Sequence, residues 1–284
     1  MQAKAGDSIT FFSKESIYCP VCGADFQRED LRTGRGRLIA GSLTDELRRL
    51  YEPTEKFGEV YPLVYTVTVC PQCFYAAFPL DFNALPSQSV GSLKAETTMR
   101  EQSLQDVLPG LNFHEPRTLQ SGIASYHYAI QCMQYFPREH SPTIKSGLSA
   151  LRAAWLCNDL HRKYPGEHFD YLASIYYHKA WFFYTEALKR EEDGSERIAE
   201  AKHLGPDMDQ NYGYDGVLYV AAWLEVHHGP RKNEQARTES LERAKTMVGR
   251  LFGLGKASKE KPSTLLERAR ELFSSINVEL KGAP

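Results

Sequence analysis

From Thr118 onward, apolar residues recur with the period of an amphipathic helix, about 3.6 residues per turn. Six such stripes follow one another, and proline or glycine residues stand between them, where helices end. The stripes predict helices over residues 119–133, 144–155, 169–187, 217–227, 241–251 and 265–276. We therefore predict a helical domain of antiparallel pairs that resembles a tetratricopeptide stack, although the 34-residue signature of that repeat is not met cleanly.

Up to about residue 82, short segments alternate instead with the period of a β-strand. Residues 63–69 place apolar side chains at the odd positions and threonine at 66 and 68, which predicts a strand. Shorter strands are predicted at 16–18 and 37–40. The sequence Ser-Leu-Thr-Asp at 42–45 could cap a short helix over 46–51. This part of the chain is therefore predicted to be β-rich.

Four cysteines form two matched pairs with the pattern Cys-Pro-x-Cys: Cys19 with Cys22, and Cys70 with Cys73. A two-residue gap lets both thiolates of a pair face one ion, and two such turns can close a tetrahedral shell of four sulfurs. We predict a structural Zn²⁺ site, built as in a zinc ribbon from a strand that leads into each turn. Iron of the rubredoxin type would use the same ligands, and a redox dithiol is a third alternative. Four sulfurs leave no open position for a catalytic water.

The charge of the chain is nearly balanced. Its 284 residues have a formal net charge of −2, from 34 basic and 36 acidic residues, which argues against a general nucleic-acid or membrane-surface binder. No segment approaches about 20 continuous apolar residues, and the first residues lack the apolar core of a signal peptide. We therefore expect a cytoplasmic protein without a membrane span, in a reducing compartment where paired cysteines bind metal more often than they form disulfides.

A zinc ion with four thiolates carries a net charge of −2, so donors and positive charge are expected nearby. The nearest candidates in sequence form an arginine run: Arg28, Arg32, Arg35 and Arg37. These side chains could support the metal or contact the phosphates of a nucleic acid. Glu29 and Asp30 interrupt the run, so a solvated loop or support of the metal is favoured over a nucleic-acid contact. The remaining cysteines, Cys132 and Cys157, lie in predicted amphipathic helices and are expected to be core residues.

A change of composition separates the two parts of the chain. Proline, serine and glycine are frequent from 86 to 92, which is typical of a linker, and a polar stretch at 94–108 could form a helix. We therefore predict an α+β protein with a zinc-ribbon-like module at 1–86, a linker with a possible helix at 87–117, and an antiparallel helical domain at 118–284.

The sequence around the second cysteine pair is similar to a known bacterial motif. Residues 70–78 read Cys-Pro-Gln-Cys-Phe-Tyr-Ala-Ala-Phe, which resembles the C-P-x-C-G-Y-A-A motif of the bacterial family called domain of unknown function 2225. That family's upstream turn resembles residues 19–23, and its helical segments resemble residues 117–126 and 146–156. The resemblance implies a cytoplasmic bacterial protein with a cysteine-rich module and a helical-repeat-like module, and it carries no established activity. Phe74 stands where the family has glycine, a residue that eases this turn.

No sequence motif of catalysis accompanies the cysteines. The chain has no P-loop, no G-x-G-x-x-G and no G-x-S-x-G pattern. We therefore predict a non-enzymatic protein whose helical domain binds a protein partner, while the metal module fixes the N-terminal geometry. The alternative is a nucleic-acid-associated protein that uses the zinc module and the arginine run. An enzyme with an unrecognised site is the third alternative.

Overall fold

Short antiparallel hairpins form the N-terminal part of the protein. The structure is a computed structural model that describes residues 9–34, 36–252 and 261–282. The strands are Thr10–Tyr18 (β1), Asp25–Leu31 (β2), Ile39–Leu43 (β3), Arg49–Glu52 (β4), Thr68–Val69 (β5) and Ala76–Ala77 (β6). They pair in chain order as β1–β2, β3–β4 and β5–β6, each pair antiparallel.

After β6, the main regular elements of the described chain are α-helices. The α-helices are Ser87–Ala95 (α1), Thr97–Gln102 (α2), Leu119–Met133 (α3), Pro142–Lys163 (α4), Phe169–Glu192 (α5), Gly213–His228 (α6), Glu234–Gly249 (α7) and Ser263–Gly282 (α8). The six helices predicted from the apolar stripes correspond to α3 to α8, so those predictions are confirmed. The combination of small antiparallel sheets with many helices confirms the predicted α+β class.

Helices α3, α4 and α7 begin at residues that suit the free backbone N–H groups of a helix N-terminus. At the start of α3, the side chain of Thr118 accepts a hydrogen bond from the Ser121 amide (3.2 Å), and Ser121 Oγ accepts one from the Thr118 amide (2.8 Å). Pro142 opens α4, where a missing N–H is harmless. Asn233 caps α7 through its side chain, which accepts from the Ala236 amide at 2.8 Å.

Two hydrophobic clusters hold the elements together. Consecutive helices from α3 to α8 pack against one another, and α4 lies between α3 and α5. The larger cluster joins these helices to the N-terminal part, because it contains Leu47 and Val64 together with Trp155. The smaller cluster surrounds the four paired cysteines and includes Leu93 of α1 and Met133 of α3. The hairpins and the helices therefore share buried surface.

Gly122 of α3 marks a close approach between the two parts. A Cβ at this position would lie 2.7 Å from Cγ1 of Val64 and 2.9 Å from Cδ1 of Leu156, which is closer than carbon atoms come without displacement. Helix α3 thus needs glycine where it passes between α4 and the turn that contains Val64.

The strand predicted at 63–69 is wrong over most of its length. Pro62–Tyr65 form a 3-10 turn, and only Thr68–Val69 form a strand, β5. Leu63 and Val64 are both buried, and their turn packs against α3 and α4. A strand would instead place neighbouring side chains on opposite faces. The apolar residues here fill space between helices, and their alternation does not reflect a sheet.

The two shorter strand predictions are confirmed, one in full and one in part. The strand predicted at 16–18 is confirmed as the end of β1. The one predicted at 37–40 is confirmed at Ile39 and Ala40, where β3 begins.

The helix predicted at 46–51 is wrong, because these residues form the turn and second strand of the β3–β4 hairpin. The Thr44 amide donates to the Arg48 carbonyl oxygen (2.8 Å), and the Leu47 amide donates to that of Thr44 (3.1 Å). Leu47 has a φ of 60°, in the left-handed region, and its side chain is fully buried. Burial of an apolar side chain offsets the strain of this backbone conformation.

The tip of this hairpin, residues 44–48, is inserted among the helices. Glu46 is partly buried, and its carboxylate accepts hydrogen bonds from Nε1 of Trp155 on α4 and from the hydroxyl of Tyr177 on α5. Burial raises the pKa of the Glu46 carboxyl. The hydroxyl of Tyr219 on α6 donates to the Asp45 carbonyl oxygen at 2.6 Å. We call residues 44–48 the hairpin tip.

An ion pair fixes the end of the hairpin tip. The guanidinium of Arg48 donates through both terminal nitrogens to the two carboxylate oxygens of Asp159 on α4, with 3.1 Å between Nη1 and Oδ1. The Asp159 side chain is completely buried, whereas Arg162, its second partner, is 63% exposed. The tip therefore places the Arg48 guanidinium among the helices, where it pairs with the buried carboxylate of Asp159.

Residues 87–102 form α1 and α2. Leu93 and Arg100, one on each helix, have no exposed surface. The tertiary structure therefore contains well-packed helical residues where the sequence composition is typical of a linker. The domain boundaries at 86 and 117 remain predictions.

Candidate metal centre

The first cysteine pair lies in the turn between β1 and β2. Cys19 follows directly after β1. Its amide donates to the Ala24 carbonyl oxygen, and the Gly23 amide donates to the Cys19 carbonyl oxygen, both at 2.9 Å. Gly23 supplies the left-handed conformation that closes the turn, with a φ of 76°. Cys22 is thereby folded back toward Cys19.

The second pair repeats this turn between β5 and β6. The Cys70 amide donates to the Tyr75 carbonyl oxygen (2.8 Å), and the Phe74 amide donates to that of Cys70 (3.0 Å). Phe74 takes the position of Gly23 and adopts the same left-handed conformation, with a φ of 56°. Its ring lies 5.4 Å from that of Tyr128 and 6.1 Å from that of Phe113. Aromatic packing thus holds a residue whose backbone would otherwise favour another conformation.

The two turns bring the four sulfurs together. The Sγ atoms lie within 4.8 Å of one another, with 3.6 Å between Cys19 and Cys73 and 3.6 Å between Cys22 and Cys70. Sulfurs placed tetrahedrally at about 2.3 Å from one zinc ion would be about 3.8 Å apart. All four residues are free cysteines. Their spacing therefore fits a single ion, and the four cysteines could hold a metal.

Without a cation the four thiols must share protons. Hydrogen bonds from Cys70 and Cys73 lower the pKa of the Cys19 thiol. The same contacts raise the pKa values of Cys70 and Cys73. The group thus accommodates one negative charge easily, and each further thiolate would meet repulsion in a buried place. A divalent cation removes that repulsion, so the donor set also suits a metal chemically.

The chain is similar to known bacterial proteins over nearly its whole length. Residues 12–276 match the family described as an uncharacterized protein conserved in bacteria, DUF2225. The chain belongs to the DUF2225 family. An uncharacterized protein of Borreliella burgdorferi is 41% identical to it over 273 residues, which are 96% of this chain and 98% of the relative. No solved structure matches the chain.

Family membership confirms the resemblance inferred from the cysteine motif. The DUF2225 match spans both cysteine turns and continues into α8. Phe74 departs from the glycine of that motif, yet the turn retains the hydrogen bonds of the first one. Within the described residues, no helix has the length and apolar run that crossing a membrane requires.

A buried arginine that the sequence did not reveal lies beside this DUF2225 cysteine cluster. Arg100 of α2 has no exposed surface. Its Nε and Nη2 donate to the Cys73 carbonyl oxygen at 3.2 and 3.0 Å, and Nη2 also reaches Thr97 Oγ1 at 3.2 Å. Nη1 has no hydrogen-bond partner among the described residues. The guanidinium therefore holds the second cysteine turn and supplies positive charge close to it.

The predicted arginine run makes other contacts. Arg28 pairs with Asp30 at 2.8 Å, and Arg32 donates to the Thr10 carbonyl oxygen at 3.3 Å. Arg37 is buried and donates to the Gly34 carbonyl oxygen at 3.4 Å. Arg35 lies outside the described residues. A role of these side chains at the metal or at a phosphate remains a prediction.

The other two cysteines are buried, as predicted for core residues. Cys132 of α3 lies next to the cluster of four cysteines without joining it, and its Sγ accepts from the Ala76 amide at 3.5 Å. Burial raises the pKa of the Cys132 thiol to about 11 and also raises that of Cys157. Both thiols are therefore protonated near neutral pH, as expected for packing residues. The contact with Ala76 ties the second cysteine turn to α3.

Proposed function

We propose that this DUF2225 protein is a non-enzymatic protein-interaction module whose N-terminal part is organised by a structural zinc ion. Cys19, Cys22, Cys70 and Cys73 would ligate the ion in a zinc-ribbon-like unit, and α3 to α8 would form a tetratricopeptide-like array that presents a binding surface. The observation that carries the proposal is the meeting of four sulfurs from two matched turns at distances that suit one tetrahedral ion.

A closed shell of four sulfurs supports a structural role for the ion. It leaves no position for a water or substrate, which catalytic zinc needs. The second cysteine turn is bonded to α3 through Ala76 and packs on it through Phe74. The ion would therefore stabilise the junction between the hairpins and the helices.

Metal analysis of the purified protein tests the metal proposal. We expect one zinc per chain, lost in Cys70→Ser together with native folding, whereas Cys157→Ser, which alters a cysteine outside the cluster, should keep the ion. One iron per chain, with rubredoxin-like absorption, would show instead that the same four cysteines bind iron. A chain without stoichiometric metal whose Cys70→Ser variant folds normally contradicts the proposal.

The interaction proposal is tested by purifying the tagged full-length protein from its native bacterium under mild conditions. We expect a partner protein at a constant ratio, retained by Cys157→Ser and lost from a cysteine-cluster variant. The same preparation should lack turnover of candidate substrates. Purification without any reproducible partner speaks against an interaction module.

Nucleic-acid association receives less support. Arg28 is neutralised by Asp30, and the guanidinium of Arg37 is buried, so neither offers a free charge to a phosphate. A gel-shift assay separates the two proposals. Binding that depends strongly on salt and disappears in Arg32→Glu would favour the nucleic-acid alternative.

A further inference from the structure

A groove of about 600 Å³ runs along the exposed side of α5 and reaches α3. It is lined by Ile130 of α3 and, on α5, by residues that include Tyr171, Ile175, His178, Lys179 and Phe182. Tyr171 is 71% and Phe182 55% exposed, and Ile175 is also exposed. Side chains at positions 171, 175, 178 and 182 lie on one face of a helix, and the stripe spans about 16 Å, or three turns. Large apolar side chains exposed in one row are typical of an interaction surface.

The walls of this groove contain no carboxylate. Helix α3, Leu119–Met133, has neither aspartate nor glutamate, and residues 171–185 of α5 have none. Over the whole chain, 36 of 284 residues, about one in eight, are acidic. The groove lining presents the basic side chains of His178 and Lys179 and no carboxylate.

Lys179 lacks an ionic partner in the groove. Its ammonium lies 5.8 Å from the centre of the Tyr176 ring, and it forms no ion pair with any of the described residues. Burial lowers the pKa of Lys179, which shows that its charge is poorly solvated. A carboxylate brought in by a bound molecule would supply the missing partner.

Resting on the proposed interaction function, we propose that the groove between α3 and α5 binds an acidic amphipathic helix of a partner protein. Apolar side chains of the partner helix would pack on Tyr171, Ile175 and Phe182, and an aspartate or glutamate beside them would pair with Lys179. Three turns of helix fit the length of the stripe, and this mode of recognition needs anchors at i, i+4 and i+7. The cationic groove would disfavour a basic helix by like-charge repulsion.

Selection of helical peptides on the full-length protein tests this inference. A phage-displayed library with randomised positions on one helix face is the probe, and the enriched peptides should carry aspartate or glutamate next to apolar residues at helical spacing. Phe182→Ser and Tyr171→Ser should each weaken binding of the best peptide about tenfold or more. Lys179→Glu should shift the preference toward basic peptides.

Leu80→Ser is the matched control, because Leu80 is 65% exposed and lies outside the groove lining. It should leave peptide affinity unchanged. The inference is overturned by enrichment of peptides without acidic residues, by binding that ignores the groove variants, or by failure to enrich any peptide. It is also overturned if sedimentation shows a dimer that Phe182→Ser dissociates, since a second copy would then occupy the groove.

A photo-crosslinking residue at position 182 or 80 separates this inference from the proposed function. Crosslinking of the co-purified partner from position 182 alone supports both. A reproducible partner that does not crosslink from 182, and whose binding survives Phe182→Ser, leaves the interaction function standing and refutes the groove. Absence of any partner refutes the interaction function itself.

Discussion

At Phe74, two opposing effects decide whether the residue helps or harms the fold. A non-glycine residue in the left-handed conformation costs about 1–2 kcal/mol, while removal of a packed phenylalanine ring costs about 3 kcal/mol or more. Phe74→Gly would restore the family's glycine but lose the contacts with Phe113 and Tyr128. We therefore expect it to lower the free energy of unfolding by about 1–2 kcal/mol in urea denaturation.

Gly23 provides the matched control at the same position of the first turn. A Cβ there would meet nothing within 4 Å, so Gly23→Ala should lower the free energy of unfolding by the backbone strain alone, about 1 kcal/mol. A Phe74→Gly variant that is more stable than the parent would show that the ring contributes less than the strain it imposes.

Arg100 is the residue whose charge we expect to matter most at the cysteine cluster. Arg100→Met keeps an unbranched apolar stem but removes the donors to the Cys73 carbonyl oxygen. Metal affinity should fall about 10–100-fold, measured as faster transfer to a chromogenic chelator. Arg28→Met, which alters an arginine paired with Asp30, is the control and should transfer its metal at the parental rate. Equal rates in the two variants would leave Arg100 with a packing role only.

His127 should make stability depend on pH. Burial lowers its pKa to about 4 from 6.5, with a smaller contribution from Lys179, and its Nδ1 lies 2.9 Å from the Tyr176 hydroxyl. The unfolded chain binds a proton near pH 6.5 and the folded protein only near pH 4. The contribution of neutral His127 to the free energy of unfolding is therefore complete above pH 6.5. It is lost as the pH falls toward 4, at about 1.4 kcal/mol per pH unit and up to about 3 kcal/mol in total.

Comparison of two variants isolates this contribution. Between pH 6.5 and 4, the free energy of unfolding of His127→Gln should decrease less than that of the parent protein. His114→Gln, a change at an exposed histidine, should retain it. Parallel curves for the parent and His127→Gln would contradict the prediction.

At the residue scale, sequence reasoning succeeded where chemistry is local. The cysteine pairs are recognisable because two residues separate the two ligands of each turn, and this spacing predicts the cluster. Arg100 carries no such signal, since it reaches Cys73 across 27 residues and from a different element. The sequence favours the arginines nearest to the first cysteine pair for this role, but those arginines contact strands and loops.

At the scale of elements, the hairpin tip joins the N-terminal part to the helices through a buried ion pair. Loss of one partner leaves a buried charge, which costs about 3–5 kcal/mol. Asp159→Asn should lower the free energy of unfolding by that amount, because Arg48 would lose both of its carboxylate hydrogen bonds, while Glu46 and Asp207 attract it without bonding to it. Arg48→Met should cost less, about 2 kcal/mol, because Asp159 retains Arg162.

Urea denaturation of both variants measures this difference, with Arg162→Met as the control. Arg162 is 63% exposed, so its loss should change stability by less than about 1 kcal/mol. Equal losses of unfolding free energy in Asp159→Asn and Arg48→Met would show that Arg162 does not neutralise the Asp159 carboxylate when Arg48 is absent.

The elements also show which patterns a sequence conveys. The six stripes that predicted α3 to α8 each extend over about three helical turns or more, a length that few strands reach, so these elements are recognisable. The 63–69 segment is buried or half-buried at every position, because its turn is enclosed by α3 and α4, so its alternation of apolar residues with threonine says nothing about conformation. Residues 42–51 carry a capping pattern, but the burial of Leu47 in the helices favours a hairpin. Both errors have the same cause: tertiary contacts overrode a local preference.

At the scale of the molecule, removal of metal should not be a local event. The smaller hydrophobic cluster contains the cysteines, Leu93 of α1 and Met133 of α3. After chelation at neutral pH, hydrogen exchange should accelerate first in the cysteine turns, α1 and the end of α3, and last in α7 and α8. Mass spectrometry of peptic fragments measures this order. Uniform acceleration across the chain, or acceleration of α8 before α3, would contradict it.

The insertion of the hairpin tip also sets an order of events during synthesis. Arg48 and Asp159 are 111 residues apart in sequence, and Leu43 accepts a hydrogen bond from Arg268, 225 residues later. At a translation rate of about 5–20 residues per second, the tip leaves the ribosome roughly 6–20 seconds before its carboxylate partner is made. A nascent chain thus exposes an apolar Leu47 and an unpaired guanidinium until α4 emerges. We expect ribosome-bound chaperones to bind the nascent chain at the hairpin tip and to be released when the helices are translated.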